Sequence, residues 1–351
     1  MGVVDFMQDF LLGTYTREDS KGIYQISLNR KEKKLENLQL IAEVESPTFL
    51  DTSENNQMMF AVVNDENGGG VASFKKTDDG QYEEVDRLTG SGAAPCYVFY
   101  DDANNFLYTA NYHHGKVGLY QATSEGELES LDVATHHGSS SHPNQDAPHA
   151  HYIAPTPDGQ FVLACDLGTD EVITYRVENN KLVKKNVFDT PAGTGPRHLV
   201  FHPSLDLLYV LGELSSEVLV LNYDAQTGEM SEKQIVTMLP EDFNGENSGA
   251  AIRLSSDGKF LYASNRGHNS IVVYQIDAEK GTLDSIQWQE TFGKTPRDFN
   301  LDESEEFVIA GHQHQPVLTL FARNQTTGFL SVVEKDVYAP EVVCVQGLTS
   351  S

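Results

Sequence analysis

A strand pattern that recurs seven times along the chain constrains the fold more than any other feature of the sequence. A complete copy has a short apolar strand, a polar turn, an aromatic-rich second strand, another turn and a third strand that ends in a polar hairpin. One position, the first residue of the second strand, can be followed through every copy, at Phe10, Met59, Phe106, Phe161, Leu207, Phe260 and Phe307. The copies follow one another at nearly regular intervals.

This spacing and the residue types together predict a β-propeller. Repeats of about 40–50 residues that hold four short strands each are typical of propeller blades. Val, Ile, Tyr and Phe cluster in short runs, and these runs are bounded by turn signals such as Asp158-Gly159 and Asp257-Gly258. We therefore predict an all-β chain in which residues 1–351 form a single seven-bladed propeller domain with four antiparallel strands per blade.

The two ends of the chain predict how the ring of blades closes. The first copy of the repeat begins directly at a second strand, FLLGTYT, and lacks a first strand of its own. The segment from Pro340 to Val345 near the C-terminus has the first-strand pattern of the other blades. We expect this segment to supply the missing inner strand of the first blade, because that pairing removes two open sheet edges.

Composition limits the classes of partner. The net charge is −28, and nucleic acids and anionic membranes bind clustered Lys and Arg, so we expect neither as a partner. No apolar stretch is long enough to span a membrane, and the N-terminal MGVVDFMQDF has no basic start, so we expect no membrane span and no secretion signal. Cys96, Cys165 and Cys344 have no metal-type spacing and read as buried reduced thiols. We expect a cytoplasmic protein, and the sequence does not indicate an oligomeric state.

Propeller topology predicts that two sets of polar residues meet at one mouth of the central channel. The first strand of each blade lines the channel and the second runs back antiparallel, so the start of the first and the end of the second share a face. Residues after a proline mark the starts of the first strands, at Thr48, Cys96, His149, Arg197, Arg297 and Glu341. The ends of the second strands supply Asn64-Asp65, Asn111-Tyr112, Asp166-Leu167, Gly212-Glu213, Asn265-Arg266 and His312-Gln313.

Charged residues concentrate in part of these two sets. We expect a single pocket formed by the side chains of His149, Arg197, Glu213, Arg266 and Arg297. Three further polar residues should lie close to it, namely His151, Asp166 and His198. Several arginines together in an acidic protein favour an anion site, because guanidinium groups match the geometry of phosphate and carboxylate. In the alternative interpretation, Arg197 or Arg297 pairs with Asp166 or Glu213 and ties blades together.

His149 and Glu213 are two alternative candidates for a general base. An imidazole can accept or donate a proton at neutral pH, and a carboxylate beside arginines stays ionised, which suits water activation. A metal bound by His149 and His151, with Asp166 or Glu213 as a third ligand, is the less favoured interpretation, because the arginines compete with a cation for that space. No nucleotide-binding or metalloprotease motif occurs, and we expect neither a metal nor a cofactor.

Several short motifs, each in a different blade, resemble one known family. They are GTYT at 13–16, SKGIY at 20–24, PHAH at 148–151, DLGTD at 166–170, GPRH at 195–198, ELSS at 213–216, SNRGH at 264–268 and GKTPRD at 293–298. Over nearly its whole length the chain resembles the lactonase seven-bladed propellers, which include bacterial propeller-type 6-phosphogluconolactonase and fungal carboxy-cis,cis-muconate cyclase. The resemblance implies that His149, Arg197, Glu213 and Arg266 occupy the family's proposed catalytic or substrate-binding positions.

The resemblance also implies an activity. The preferred hypothesis is a cofactor-free hydrolase that converts 6-phospho-D-glucono-1,5-lactone to 6-phosphogluconate in the pentose phosphate pathway. Around the four catalytic candidates, we expect substrate contacts from His151, Asp166, His198, Asn265 and Arg297. The residues alone predict only a small anionic ligand. One alternative is a cyclase that closes a muconate-type acid to a lactone, and another is a non-catalytic propeller that acts as a binding scaffold.

Overall fold

The computed structural model describes residues 6–349, which form 28 strands in seven four-stranded antiparallel sheets. Each sheet is one blade of a propeller, as the repeat predicts, and no helix occurs within the described part of the chain. Blade 1 begins the chain with β1 (Met7–Thr14), β2 (Gly22–Asn29) and β3 (Lys34–Glu43). Blade 2 contains β4 (Leu50–Thr52), β5 (Met58–Asp65), β6 (Gly68–Lys76) and β7 (Tyr82–Gly90).

The middle blades follow in chain order. Blade 3 contains β8 (Tyr97–Asp101), β9 (Phe106–Asn111), β10 (Lys116–Ala122) and β11 (Leu128–Thr135). Blade 4 contains β12 (Ala150–Pro155), β13 (Val162–Asp166), β14 (Glu171–Glu178) and β15 (Lys181–Asp189). Blade 5 contains β16 (Pro196–Phe201), β17 (Leu207–Gly212), β18 (Glu217–Tyr223) and β19 (Met230–Thr237).

Two further blades and one last strand complete the ring. Blade 6 contains β20 (Ser248–Leu254), β21 (Phe260–Arg266), β22 (Ser270–Ile276) and β23 (Leu283–Glu290). Blade 7 contains β24 (Pro296–Leu301), β25 (Phe307–His312), β26 (Val317–Arg323) and β27 (Leu330–Tyr338). The last strand is β28 (Val342–Gly347). The first strands β4, β8, β12, β16, β20 and β24 contact one another in sequence, and β28 lies between β24 and β4, so the inner strands form a closed ring.

The predicted closure of the ring is confirmed. β28 pairs antiparallel with β1, with Cys344 opposite Gly13 and Val345 opposite Leu12, and the first blade therefore has the order β28-β1-β2-β3. Blade 1 is thus built from both ends of the chain, and its sheet has no missing inner strand. Gly13 is required here, because a Cβ at this position would lie 2.9 Å from the Cβ of Cys344 and 2.7 Å from the carbonyl oxygen of Pro47.

The core lies between blades rather than within any one of them. Apolar side chains on the facing sides of adjacent sheets form separate clusters, such as the one between blades 5 and 6 that contains Tyr209, Leu211 and Val272. Tyr209 also donates a hydrogen bond from its hydroxyl to the carbonyl oxygen of Gly281 in the next blade, at 2.9 Å. Each blade therefore depends on its neighbours for burial of its apolar surface. A helix of the length and apolarity that crosses a membrane is absent from residues 6–349.

Candidate active site

A cavity of about 390 Å³ opens at one mouth of the central channel. This volume lies within the range of about 300–1,000 Å³ that is usual for small-molecule sites. Polar residues line it from the two sets that the topology predicts to meet. The starts of inner strands contribute Thr48, Cys96, His151 and Arg297, and the ends of second strands contribute Tyr15, Asn64, Tyr112, Glu213 and Arg266.

At the centre of the site, one carboxylate contacts two arginines. Nε of Arg197 lies 3.0 Å from Oε2 of Glu213, and a terminal nitrogen of Arg266 lies 2.9 Å from the same oxygen. The Arg197 contact is an ion pair without an aligned hydrogen bond. Both arginines contact Oε2, and neither contacts the other oxygen, Oε1. It is available to a ligand or to water.

The backbone holds this carboxylate in place from two sides. Glu213 follows β17, and its N–H donates to the carbonyl oxygen of Gly195 at 2.8 Å. Its own carbonyl oxygen accepts from the N–H of Gly249 in the next blade at 2.9 Å. The two arginines are fixed in the same way, since Arg197 donates to the carbonyl oxygen of Ala250 and Arg266 to that of Gly249. The group therefore spans blades 5 and 6.

β-Bulges direct three of the site's side chains. In blade 5, Pro196 pairs with Gly212 and His198 pairs with Leu211, which leaves Arg197 unpaired between them. The same irregularity leaves His151 unpaired in blade 4 and Arg297 unpaired in blade 7. A bulge re-aims a side chain relative to a regular strand, and such bulges are common at barrel rims and next to active sites. His151, Arg197 and Arg297 are therefore structurally equivalent residues in three blades.

The bulges thus group His151 with Arg197 and Arg297, whereas the preceding prolines group His149 with them. The sequence groups His149 with Arg197 and Arg297 because each follows a proline, but Pro148 lies two positions earlier relative to the bulge than Pro196 and Pro296 do. As a result His151, and not His149, points into the cavity in blade 4. The proline restricts the backbone before a strand, whereas the position of the bulge depends on pairing with the second strand.

His149 lies behind the cavity wall. Its ring stacks on Tyr112, with the ring centroids 4.2 Å apart and the planes inclined by 10°. Its Nδ1 lies 2.8 Å from the carbonyl oxygen of Tyr112, and because a carbonyl oxygen only accepts, Nδ1 carries the proton. Nε2 lies 3.6 Å from an oxygen of Asp146. His149 thus supports Tyr112, which lines the cavity.

Three residues that the sequence predicts as substrate contacts, Asp166, Asn265 and His198, do not line the cavity. Asp166 and Asn265 have structural contacts instead. Asp166 is fully buried, where one oxygen accepts from the N–H groups of His149, Gly168 and Thr169. Its other oxygen lies 2.6 Å from Nδ1 of His136. Asn265 is also fully buried and donates to the carbonyl oxygen of Met238. These two side chains fix the turns that present the site.

The third, His198, lies deeper in the channel. It borders a second cavity of about 300 Å³, which also contacts Tyr97, Tyr152 and Arg253. Its ring centroid is 5.2 Å from that of His151, so this histidine pair separates the two cavities. The structure therefore brings together His151, Arg197, Glu213, Arg266 and Arg297, and it places the four remaining candidates around them.

Arg17 also lines the cavity, although it is not among the residues that the sequence pattern indicates. Arg17 lies in the turn after β1, outside the two sets of strand ends that the propeller topology brings together. The topology therefore does not predict its position at the cavity. The signal in the sequence is a single cation in the acidic stretch TREDS, directly after the tyrosine of GTYT. Tyr15, in that motif, lines the cavity beside it.

The charges of the arginines control ionisation within the site. Burial by itself would raise the pKa of Glu213, but Arg266, Arg197 and Arg297 outweigh it and hold this pKa below its ordinary value. Burial, together with Arg197 and Arg297, lowers the pKa of His151 well below its ordinary value. At neutral pH the site therefore contains an ionised Glu213 and an uncharged His151. No group of three or more His, Cys, Asp and Glu side chains that could hold a metal ion occurs in residues 6–349.

Comparison with known proteins agrees with the fold and the motifs. The family model described as "Lactonase, 7-bladed beta-propeller" matches residues 9–347. A 6-phosphogluconolactonase of Bacillus subtilis is 37% identical over 339 residues, which cover 96% of this chain and 97% of the relative. The crystal structure of a Lactobacillus plantarum protein is 40% identical, with a TM-score of 0.95 over 98% of this chain and 100% of the other.

A solved structure of lower sequence identity has the same fold. The periplasmic gluconolactonase PpgL of Pseudomonas aeruginosa is 26% identical, with a TM-score of 0.92 over 98% of this chain and 99% of the other. The family model covers all seven blades, and the matched relatives share nearly their full length with this chain. The chain belongs to the lactonase family of seven-bladed β-propellers.

Proposed function

We propose that this protein hydrolyses a small anionic sugar lactone, with 6-phospho-D-glucono-1,5-lactone as the substrate and 6-phosphogluconate as the product. The observation that carries the proposal is the Glu213 carboxylate, whose Oε2 contacts Arg197 and Arg266 beside a cavity that further arginines line. A site of this kind offers a base, a set of cations for developing negative charge, and an electrostatic reason for an anion to enter a protein of net charge −28.

The proposed reaction needs one water molecule and no cofactor. Oε1 of Glu213 accepts a proton from water as the water oxygen forms a bond to the lactone carbonyl carbon. The carbonyl oxygen gains negative charge, which Arg266 stabilises from the cavity wall and Arg197 by its charge behind Glu213, and one such stabilising group is often worth about 3–4 kcal/mol. The bond between that carbon and the ring oxygen then breaks, and the proton held by Glu213 passes to the ring oxygen. The product is the open-chain hydroxy acid.

The choice of substrate draws on the relatives as well as on the site. The Bacillus subtilis relative is named for a phosphorylated lactone, and the Pseudomonas aeruginosa structure for an unphosphorylated one. Both names describe the opening of a sugar lactone, which is the reaction that Glu213 and its two arginines suit. The additional arginines at the cavity favour the phosphorylated substrate, because a phosphate group brings about two negative charges at neutral pH.

An assay coupled to 6-phosphogluconate dehydrogenase tests this function, with the spontaneous hydrolysis rate subtracted. We expect the wild-type protein to accelerate ring opening above background. Arg197→Ala should lower kcat/KM by about a hundredfold, because it removes a buried cation from the developing oxyanion. His149→Ala should have a smaller effect, since it removes only the support of Tyr112. Melting curves would show that both variants are folded. A wild-type rate equal to background would reject the function, and full activity in both variants would reject the site.

The pH dependence of kcat/KM distinguishes Glu213 from His149, the two candidates for the general base. The pKa of Glu213 lies below its ordinary value of 4.5, so the ionised and active form should persist as the pH falls to that value. We therefore expect kcat/KM to stay level from about pH 7.5 to about pH 5 and to decrease only at lower pH. A decrease between about pH 7 and 6, where imidazoles ordinarily titrate, would assign the proton transfer to a histidine instead.

A further inference from the structure

Two arginines at the cavity form no ion pair within residues 6–349, and both lie against the same tyrosine. The guanidinium carbon of Arg17 is 3.8 Å from the centroid of the Tyr15 ring, and that of Arg297 is 5.8 Å from it. Among the described residues, the one side-chain hydrogen bond of Arg297 is to the neutral amide oxygen of Gln313, at 3.0 Å. Both guanidinium groups thus lie beside Tyr15 without a carboxylate in contact.

These two arginines differ in this respect from the pair at Glu213. Arg197 and Arg266 share one carboxylate, so part of their charge is already compensated before a ligand enters. The guanidinium groups of Arg17 and Arg297 form no ion pair with a carboxylate of the described chain, although the sequence carries 52 acidic residues against 24 Lys and Arg. The cavity therefore contains two electrostatically distinct pairs of arginines, one that shares the Glu213 carboxylate and one that lies around Tyr15 without an ion-pair partner.

The turn that carries Arg17 is held by a carboxylate from the opposite end of the chain. Oε1 of Glu341 accepts from the N–H of Arg17 at 3.0 Å, and Oε2 accepts from the N–H groups of Glu18 and Ser20 at 3.0 and 3.2 Å. The backbone carbonyl of Glu341 accepts from the N–H of Tyr15 at 3.1 Å. Glu341 itself has a φ of 51°, in the left-handed region that a residue other than glycine rarely adopts. The residue with this strained backbone, Glu341, is the same residue whose carboxylate holds the turn at residues 15–20.

We propose that Arg17 and Arg297 together bind the phosphate group of the substrate, and that Glu341 is a positioning residue that holds Arg17 against Tyr15 for this purpose. The proposal rests on the lactonase function proposed above and deepens it, because it orients the substrate. The lactone carbonyl lies at Glu213, and the phosphate lies beside Tyr15, between Arg17 and Arg297. Two guanidinium groups match a phosphate dianion in charge and in donor geometry. The phosphate oxygens supply the anionic partner that neither arginine contacts in the described chain.

The test compares two lactones that differ only in the phosphate group. For 6-phosphogluconolactone, Arg17→Ala should raise KM by about ten- to a hundredfold, the value of one charge-assisted contact, and leave kcat nearly unchanged. For glucono-1,5-lactone, the same variant should leave both constants unchanged. Arg17 is exposed and its guanidinium makes no ion pair with the described residues, so its removal should not disturb folding. Lys21→Ala removes a charge from the same turn outside the cavity and should resemble the wild type.

A second set of variants tests the role of Glu341. Glu341→Gln replaces one accepting oxygen by an NH₂ group, which repels the backbone N–H donors, and it should raise KM for the phosphorylated lactone alone. Asp19→Asn, which makes the same charge change in the same turn, should have no effect. If Glu341 acts through Arg17, the double variant should be no worse than Arg17→Ala, because the two effects are not additive. Additive losses, or equal losses on both lactones, would overturn the positioning role.

Failure of this proposal can be separated from failure of the lactonase function. A wild-type protein that hydrolyses neither lactone rejects the function, and calorimetry with 6-phosphogluconate and gluconate then examines the phosphate site directly. Tighter binding of 6-phosphogluconate that Arg17→Ala abolishes would support the site. Equal binding of the two acids, or hydrolysis that Arg17→Ala leaves unchanged on the phosphorylated lactone, would overturn it.

Discussion

Replacing Glu213 with glutamine is expected to lower kcat for the lactone by at least about a hundredfold, the usual contribution of a general base. The substitution preserves the size of the side chain, so the cavity keeps its shape. It removes the negative charge that Arg197 and Arg266 contact at 3.0 and 2.9 Å, and it removes the basicity needed to accept the proton from water. KM should change less than kcat, because Glu213 acts on the water rather than on the phosphate.

A second ion pair in the channel provides a matched control for this loss. Arg253 contacts Asp298 at 2.8 Å, outside the candidate active site, and Asp298 is nearly fully buried. Asp298→Asn makes the same chemical change as Glu213→Gln, and both variants should be destabilised, since each leaves arginine unpaired. Only the Glu213 variant should lose turnover. Equal turnover in the two variants, measured at matched fractions of folded protein, would show that Glu213 is not the base.

Removal of the residues after Ala339 is expected to destabilise the whole ring. β28 buries Val342, Val343 and Val345, and burial of three such side chains is worth about 5–9 kcal/mol in total. This is comparable to the whole free energy of unfolding of an ordinary domain, about 5–15 kcal/mol. The truncated protein should therefore melt at least about 10 °C lower than the full chain, or fail to fold.

Addition of the removed segment as a free peptide controls for damage unrelated to strand pairing. The peptide should restore the melting temperature in a concentration-dependent way, because it can re-form the pairing of Cys344 with Gly13 and of Val345 with Leu12. A peptide in which Val345 is replaced by Asp should not restore it, since Val345 is fully buried. A truncated protein with an unchanged melting temperature would contradict the role of β28 in closing the ring.

The fold could be predicted because its signals are local and repeated. A nearly regular spacing, short apolar runs and turn dipeptides recur along the chain, and each copy supports the others. The closing strand could be predicted for the same reason, since Pro340 to Val345 repeat a pattern already seen in other blades and the first blade lacks that pattern. No long-range contact had to be known in advance.

The candidate site could be predicted only in part. Glu213, Arg266, Arg297 and His151 line the cavity, and Arg197 contacts it through Glu213, as the topology indicates. His149 does not share the position of Arg197 and Arg297, because Pro148 lies two positions earlier relative to the bulge than Pro196 and Pro296 do, and the position of a bulge is not visible in the sequence. Arg17 could not be predicted from the pattern of strand ends, because it lies in the turn after β1, and the carboxylate that accepts from its N–H, Glu341, is near the opposite end of the chain.

The sequence by itself therefore determined the number of blades, the closure of the ring and the mouth of the central channel at which the arginines concentrate. Periodicity carries these features, and periodicity is visible in one dimension. Only the tertiary structure decided which side chains face the ligand, because bulges and contacts between distant segments set the direction of each side chain. Which arginines are already paired was likewise decided in three dimensions, through distances of a few ångströms between different blades. That distinction separates the arginines of the proposed catalytic group from those of the proposed phosphate site.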